Sequence, residues 1–244
     1  MKQLSSILIL LLLAACSMVE NPAAANLVRG SGNVVSEERP VDGPFTAIAL
    51  NTSGDLTVVQ GAERAIVVEA DDNILPHLTA RIQDRTLTLG TEPGVGLQPA
   101  EPIRYTVTLP EIERLEAAAS GMIESAALTG ETMELEITGS GNLVIDALMA
   151  NRVTTTINGS GSVTLAGEVQ IQTVIIDGAG NYDGSTLLSE RAIVDVGGSG
   201  DTTVWVSAHL DVTIGGSGDV LYYGDPQVEQ EINGSGDLQQ GEGR

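Results

Sequence analysis

A Gly-Ser-Gly motif recurs through the second half of the chain, and its regular spacing constrains the fold more than any other feature. Six copies or near-copies follow one another at intervals of 18 to 20 residues, after a first related glycine at Gly121. A period of this size is typical of solenoids, in which each repeat stacks on the next. The paired glycines of the six copies are Gly139 and Gly141, Gly159 and Gly161, Gly178 and Gly180, Gly198 and Gly200, Gly216 and Gly218, and Gly234 and Gly236.

Aliphatic residues stand at matching places on both sides of each motif. Two places before the first glycine are Ile137, Ile157, Ile176, Val196, Ile214 and Ile232. Two places after the second glycine are Leu143, Val163, Tyr182, Thr202, Val220 and Leu238. Alternate side chains of a strand point to the same face. The pattern therefore predicts an all-β fold, a parallel β-solenoid whose short rungs of 18–20 residues bury these ladders against one another.

The motif itself has two interpretations, a ligand-binding loop used many times or a corner that the backbone turns many times. Glycine permits positive φ angles and the close approach of neighbouring backbones. Ala179 occupies the middle position that serine holds in the other five copies, which indicates that small size matters more than the hydroxyl. We therefore interpret the paired glycines as structural corners.

The N-terminus has the features of a secretory signal peptide. Lys2 precedes an apolar run from Ile7 to Leu13, which is too short to span a bilayer. The sequence "LAAC", which ends at Cys16, resembles the lipobox of bacterial lipoproteins, and this resemblance implies cleavage before Cys16 and acylation of that residue. Residues 1–15 are thus predicted to be a lipoprotein signal peptide. The alternative is an ordinary secreted protein in which Cys16 lies within or near a cleaved leader.

The residues after the cysteine bear on location and domain boundaries. Ser17 stands where enteric-type sorting uses aspartate to retain a lipoprotein at the inner membrane, so we predict a lipid anchor in the outer membrane, on its periplasmic or surface face. Residues 16–40 are predicted to be the lipidated N-terminus and a tether, with the early "GSGN" docking on the fold. Residues 41–240 form the predicted solenoid domain, in which only Asn73 to Leu78 suggests a helical turn.

Charge and composition exclude some partners. The formal net charge is −22, so the chain is not expected to bind nucleic acid or an anionic lipid surface by neutralising phosphates. Aromatic residues make up only 2% of the chain, so the core has to be built from aliphatic side chains. The one cysteine leaves no intrachain disulfide to form.

Several segments together resemble the "putative autotransporter adhesin, head GIN domain" family. The resemblance is carried by Gly30 to Leu50, "GDLTVVQG" at Gly54 to Gly61, the run of Gly-Ser-Gly corners, and "LYYGDP" at Leu221 to Pro226. It covers roughly Val41 to Leu238. The resemblance implies a right-handed parallel β-solenoid on an anchored surface or periplasmic protein, and it implies no established activity.

A polar ladder directly follows the corners and raises the question of a metal site. Its members are Asn142, Ser162, Asn181, Asp201, Asp219 and Asp237. The glycine-aspartate repeats of calcium β-rolls have a nine-residue period and place aspartate one position later. Because neither condition holds here, we predict no specific metal site, and we predict no cofactor. We expect the adjacent aspartates to tilt outward into solvent, and a weakly held cation between them is the alternative.

Catalysis requires paired carboxylates, or a metal with a basic residue, in a groove. The repeats are short and nearly free of insertions, and no lysine occurs after Lys2. His77 is expected in a surface turn, and His209 in the turn before "LDVTI". We therefore predict a protein that is not an enzyme.

Trp205 and Tyr223 form the candidate binding platform. Both lie five residues after the second glycine of a corner, in one outward column with Asp146, Ala166 and Ser185. Outward aromatic rings on adjacent rungs can stack on a sugar or a partner. The alternative is a pair of side chains that covers a face or packs under the tether.

These features predict a non-enzymatic envelope lipoprotein that presents a β-solenoid for adhesion or cell-envelope interaction. Its expected partners are the membrane, through the lipid on Cys16, and a glycan or an envelope protein. An open coil end exposes unpaired backbone, so homo-oligomer formation through that end is also considered. The alternative functions are a carbohydrate-active β-helix enzyme and a self-associating envelope scaffold.

Overall fold

The computed structural model describes residues 26–242, which form a β-solenoid of about six turns with an N-terminal cap. The predicted all-β parallel solenoid is confirmed. The signal peptide, Cys16 and the start of the predicted tether lie outside the described residues.

The N-terminal cap contains nine strands and one 3-10 turn. They are β1 (Asn26–Arg29), β2 (Val34–Arg39), β3 (Ala47–Leu50), β4 (Asp55–Gln60), β5 (Ala65–Asp71), the 3-10 turn (Leu75–His77), β6 (Leu78–Gln83), β7 (Thr86–Thr91), β8 (Val95–Gln98) and β9 (Arg104–Leu109). The turn confirms the prediction for Asn73 to Leu78. The cap is not wholly parallel, because β2 pairs with β5, β5 with β9 and β6 with β7 in antiparallel fashion.

Ten further strands form the regular stack. They are β10 (Arg114–Ala117), β11 (Met122–Ser125), β12 (Leu128–Ile137), β13 (Asn142–Ile157), β14 (Val163–Ile176), β15 (Tyr182–Val196), β16 (Thr202–Ile214), β17 (Val220–Tyr223), β18 (Gln227–Ile232) and β19 (Leu238–Gln240). All their pairings with one another are parallel. The stack rests on the cap through β3 and β4, which pair in parallel with β10 and β11.

The predicted aliphatic ladders lie in register and are buried. Ile137 pairs with Ile157, which pairs with Ile176, and Leu143 pairs with Val163 in the same way. These side chains are fully buried, so each rung supplies the apolar surface that its neighbour covers. Ile232, on the last rung of its face, is 41% exposed because no described rung follows it.

The glycine corners are required by close backbone approach and not by positive φ. Between residues 26 and 242, glycines with positive φ occur at five places, all of them outside the six paired corners. A Cβ added to Gly159 would overlap the carbonyl oxygen of Gly139, and one added to Gly161 would overlap that of Gly141. Ser160 donates its backbone N–H to the Gly139 carbonyl oxygen at 3.0 Å, so the corners stack through their backbones.

Residues 26–39, which were expected in the tether, are part of the folded cap. β1 pairs with β8 and β2 with β5. The loop between β1 and β2 is the early "GSGN", and it is clasped by Asp71, Asp72 and Asn73. The buried Asp71 carboxylate accepts the N–H groups of Gly32 at 2.6 Å and Ala100 at 2.9 Å. The expected docking of this motif is therefore observed, and the backbone hydrogen bonds that hold it explain why the segment is ordered.

Each long strand bends midway between two corners, at a shift in register. In β15, three residues separate Gly184 from Leu188, whereas their partners in β16, Val204 and Trp205, are adjacent. The bulge arises because a rung of 20 residues faces one of 18, so the longer rung must accommodate extra residues at the bend. These bends define the surface on which the candidate site lies.

Candidate functional site

Trp205 and Tyr223 lie on adjacent rungs, paired directly across β16 and β17. Val204 and Val206 on either side of Trp205 are fully buried, so its side chain turns outward. Both aromatic side chains are half-buried. Gly241 lies against the Tyr223 ring so closely that an added Cβ would overlap it. Gly241 thus contacts the Tyr223 ring, and whether the aromatic pair binds a ligand stays a prediction.

The outward column that contains Trp205 differs from the one expected. Equal distance from the corner predicted that Asp146, Ala166 and Ser185 share a column with Trp205. The bulges shift the register of the strands, so other residues lie beside Trp205. Trp205 pairs with Leu188, Leu188 with Glu168, and Glu168 with Met149. Met149 is 62% exposed, the highest value among the exposed large hydrophobic residues. We call Met149, Leu188, Trp205 and Tyr223, together with Glu168 between them, the apolar column.

A second outward column runs parallel to the first. The register on both sides of each position places Glu131 beside Asn151, Asn151 beside Gln170 and Gln170 beside Glu190. All four side chains are exposed, and Asn151 donates its amide to the Glu131 carboxylate. We call these four residues the polar column.

The two columns form the walls of an open groove, which we call the bend groove. Its floor is the intervening column of small residues, Gly130, Ala150, Val169 and Ser189. The groove encloses about 710 Å³ and is lined by Met149, Glu168, Leu188, Asn151, Gln170 and Glu190 together with the floor residues and Ser207. Met149, Glu168 and Leu188 were not predicted from the sequence as site residues. The unequal spacing of the corners was the signal that a register shift should be expected.

The groove continues toward the cap as a second depression. The two share Gly130, and the second is lined by the turn at Asp84 and Arg85 and by Glu113 and Arg114. Asp84 and Arg85 both have positive φ, at 50° and 62°, as a tight two-residue hairpin turn requires. Arg85 lies 3.8 Å from the Glu113 carboxylate, and Arg114 lies 3.0 Å from that of Glu116, so both cations are paired.

The polar ladder after the corners has a structural explanation. Asn142 accepts the backbone N–H of Ser162 at 3.0 Å. In the same way, Asp201 accepts the backbone N–H of Asp219 at 2.9 Å, and Asp219 accepts that of Asp237 at 2.8 Å. The successive aspartates therefore stabilise neighbouring rungs by charge-assisted hydrogen bonds, which compensates for their like charge. The expected outward tilt into solvent is thus only part of the explanation.

The histidines occupy ordinary surface positions. His77 lies at the end of the 3-10 turn, where its Nδ1 is 2.8 Å from the Glu92 carboxylate. His209 lies within β16 and not in the expected turn, because that strand continues through the bend. Within residues 26–242, no cluster of three or more His, Cys, Asp or Glu residues is arranged to hold a metal ion. The same residues contain no helix that is long and apolar enough to cross a membrane.

The last rung ends in polar residues. Gln230 occupies the inward position that Val194 and Val212 hold on the preceding rungs, and Gln240 follows Tyr222 in another inward column. Terminal repeats of solenoids commonly present polar residues to water. The same rung leaves Ile232 41% exposed, so association through this end stays a prediction.

Comparison with known proteins identifies the family. A family model described as "Putative auto-transporter adhesin, head GIN domain" matches residues 44–226, most of the chain. The chain belongs to this family. The resemblance carried by the corners and the flanking segments is thereby confirmed. No curated protein matches the chain.

Solved structures have the same fold as this chain. A structure from Bacteroides fragilis described as a "putative adhesin" is 22% identical, has a TM-score of 0.83, and covers 87% of this chain and 99% of its own. A "putative lipid binding protein" from Parabacteroides distasonis is 20% identical with a TM-score of 0.75, covering 89% and 100%. A "putative adhesin" from Parabacteroides merdae is 22% identical with a TM-score of 0.70, also covering 89% and 100%. At these identities the likeness concerns the fold.

Proposed function

We propose that this head GIN protein is a non-enzymatic adhesin of the cell envelope and that the bend groove is its binding surface. One observation carries the proposal: Met149, Leu188 and Trp205 form an outward apolar column in a chain whose other apolar ladders are buried. Exposed apolar side chains beside polar ones are typical of interaction surfaces. The family description and the neighbouring structures described as adhesins support an adhesive role.

The proposed location is the outer membrane, to which acylated Cys16 would anchor the protein. The lipobox-like "LAAC" and Ser17 support this part of the proposal. A lipid anchor at Cys16 would connect to the cap ten residues later at Asn26, leaving the bend groove on the side of the solenoid. Cys16→Ala in the full chain is expected to abolish incorporation of labelled palmitate and to release the protein from the membrane fraction. Unchanged fractionation and labelling would contradict the anchor.

Binding by the full chain tests the adhesive role. Detergent-solubilised protein is incubated with intact cells, peptidoglycan and surface glycans, and the fraction that co-sediments is measured. We expect Met149→Ser/Leu188→Ser to lower binding at least tenfold, and Trp205→Ala/Tyr223→Ala to do the same. Ile193→Ser is the matched control, because Ile193 is an exposed apolar residue of β15 that does not line the groove. Saturable binding that all three variants retain would overturn the proposal, and so would the absence of binding to every surface.

A carbohydrate-active enzyme is the second candidate, and the structure supplies one observation in its favour. Glu190 and Glu168 both line the bend groove, one and two rungs away from Trp205. Glycosidases use two such carboxylates, one of which needs an environment that keeps it protonated. Both side chains are exposed here, which argues against that role. Release of reducing ends from a glycan by the wild-type chain, lost in Glu168→Gln and Glu190→Gln, would establish the enzyme instead.

A further inference from the structure

The carboxylates of the bend groove have no cationic partner, although ion pairs form close by. Arg85 pairs with Glu113, Arg114 with Glu116 and Glu136, and Arg191 with Asp211. Within the described residues, no ion pair forms at Glu131, Glu168 or Glu190. None of the residues that line the bend groove is Lys, Arg or His. The groove is thus an uncompensated acidic surface.

Glu168 and Glu190 line the groove, and Glu131 stands beyond its end, where it lines the second depression. Glu131 and Glu190 stand three rungs apart in the polar column, about 14 Å at a rung spacing of about 4.8 Å. Glu168 projects from the opposite wall, between Met149 and Leu188. A ligand that satisfies all three must therefore be elongated and must carry positive charge at more than one point.

The apolar wall suits the same kind of ligand. The stems of Lys and Arg side chains are apolar and pack on surfaces such as Met149 and Leu188 while the charged group reaches a carboxylate. A cation that lies over an indole ring gains a further attraction, and Trp205 extends the column by one rung beyond Leu188. A neutral glycan would leave the three carboxylates without a role, and an anionic polymer would be repelled by them.

We propose that the bend groove binds an extended, Lys- or Arg-bearing segment of a partner protein. This inference rests on the proposed adhesive function and names its ligand class. Basic side chains pair with Glu131, Glu168 and Glu190, while their stems and intervening residues cover Met149 and Leu188. The net charge of −22 adds long-range attraction for a basic partner, so binding weakens as salt rises.

Trp205 provides a direct readout, because it is the only tryptophan of the chain. The full chain in neutral detergent is titrated with a twelve-residue peptide that alternates Lys with Gly and Ser, and with a matched peptide that carries Glu in place of Lys. We expect the Lys peptide to change Trp205 fluorescence saturably, and the Glu peptide to leave it unchanged. Raising the salt from 0.05 to 0.5 M is expected to weaken the binding at least tenfold.

Neutral variants locate the contact. Glu168→Gln/Glu190→Gln is expected to weaken binding of the Lys peptide at least tenfold. Glu229→Gln/Glu231→Gln is the control, because it removes the same charge from exposed positions of β18 outside the groove. The affinity of this control for the Lys peptide is expected to stay within twofold of the wild-type value. If both double variants bind the Lys peptide with equal affinity, the inference is overturned. A change in Trp205 fluorescence on adding a neutral glycan, but not the Lys peptide, would also overturn it.

The two proposals fail in different ways. If Met149→Ser/Leu188→Ser loses adhesion but the wild-type chain does not bind the Lys peptide, the adhesive function of the groove is supported and the basic ligand is rejected. Full adhesion in that variant would remove the groove as the adhesive surface, and with it the inference that depends on it.

Discussion

The Tyr182 hydroxyl donates a hydrogen bond to Oε1 of Gln172 at 3.0 Å inside a largely aliphatic core. Gln172 in turn donates to the Ser189 hydroxyl at 2.7 Å, and Ser189 donates to the Trp205 carbonyl oxygen at 3.1 Å. Burial raises the pKa of Tyr182 far above its ordinary value, so the residue is a neutral donor throughout the accessible pH range. The network connects three rungs directly below the apolar column.

Breaking this network is expected to destabilise the solenoid. Gln172→Leu removes the partner of Tyr182 and one partner of Ser189, and unpaired buried groups typically cost about 1–3 kcal/mol each. Urea unfolding followed by circular dichroism measures the change. Adding Tyr182→Phe to Gln172→Leu removes the orphaned hydroxyl and is expected to recover part of the loss. A Gln172→Leu variant as stable as wild type would show that the network contributes nothing.

Substitutions in a corner can show whether its glycines are needed for close backbone approach or its serines for their hydroxyl groups. Gly180→Ala places a Cβ against the Gly161 carbonyl oxygen and is expected to lower the free energy of unfolding by about 2 kcal/mol or more, since the stacked backbone has little room to move. Ala179→Ser, at the adjacent exposed position, is expected to change it by less than about 0.5 kcal/mol. Thermal or urea unfolding compares the two. Equal effects would contradict the interpretation of the glycines as corners.

Thr202 marks a place where stability can be gained. It lies in an inward ladder between Tyr182 and Val220, is 1% exposed, and its hydroxyl has no hydrogen-bond partner among the described residues. Thr202→Val keeps the shape and removes the unpaired group, so we expect a gain of about 1 kcal/mol in urea unfolding. Thr213→Val, at an exposed position of the same strand, is the control and should change little. A loss of stability in Thr202→Val would indicate that the hydroxyl is satisfied.

The clasp on the N-terminal segment is expected to loosen in acid. Hydrogen bonds from Asn33 and then from Ser31 lower the pKa of Asp72 below its ordinary value of 3.8. A depressed pKa in the folded state contributes stability above the unfolded value, and that contribution is lost as pH falls below about 3.8 through the folded value. The protection of the amides of Gly30 to Asn33 against hydrogen exchange, taken relative to their intrinsic rates at each pH, should therefore fall in this window. Asp72→Asn should remove this pH dependence, and an identical acid response in the variant would contradict it.

Local periodicity was enough to predict the regular part of the molecule. Ile137 and Ile157, and Leu143 and Val163, lie in register as expected, because each rung is paired to the next by the same parallel hydrogen bonds. The corners are found where the glycines recur, although the reason is close approach and not positive φ. The cap was harder to predict, since β2, β5 and β9 pair antiparallel and have no repeated sequence that would reveal their partners.

The sequence by itself determined the stack, its aliphatic ladders and its corners, because a repeated chain must satisfy the same packing and hydrogen-bonding demands on every rung. Only the tertiary structure decided which side chains share the outer face of the bend. Rungs of unequal length must place their extra residues somewhere, and the bulges that absorb them move Leu188 beside Trp205 and leave Ser185 outside the column. The bend groove is a consequence of that mismatch, which the positions of the glycines indicated and only the folded register could resolve.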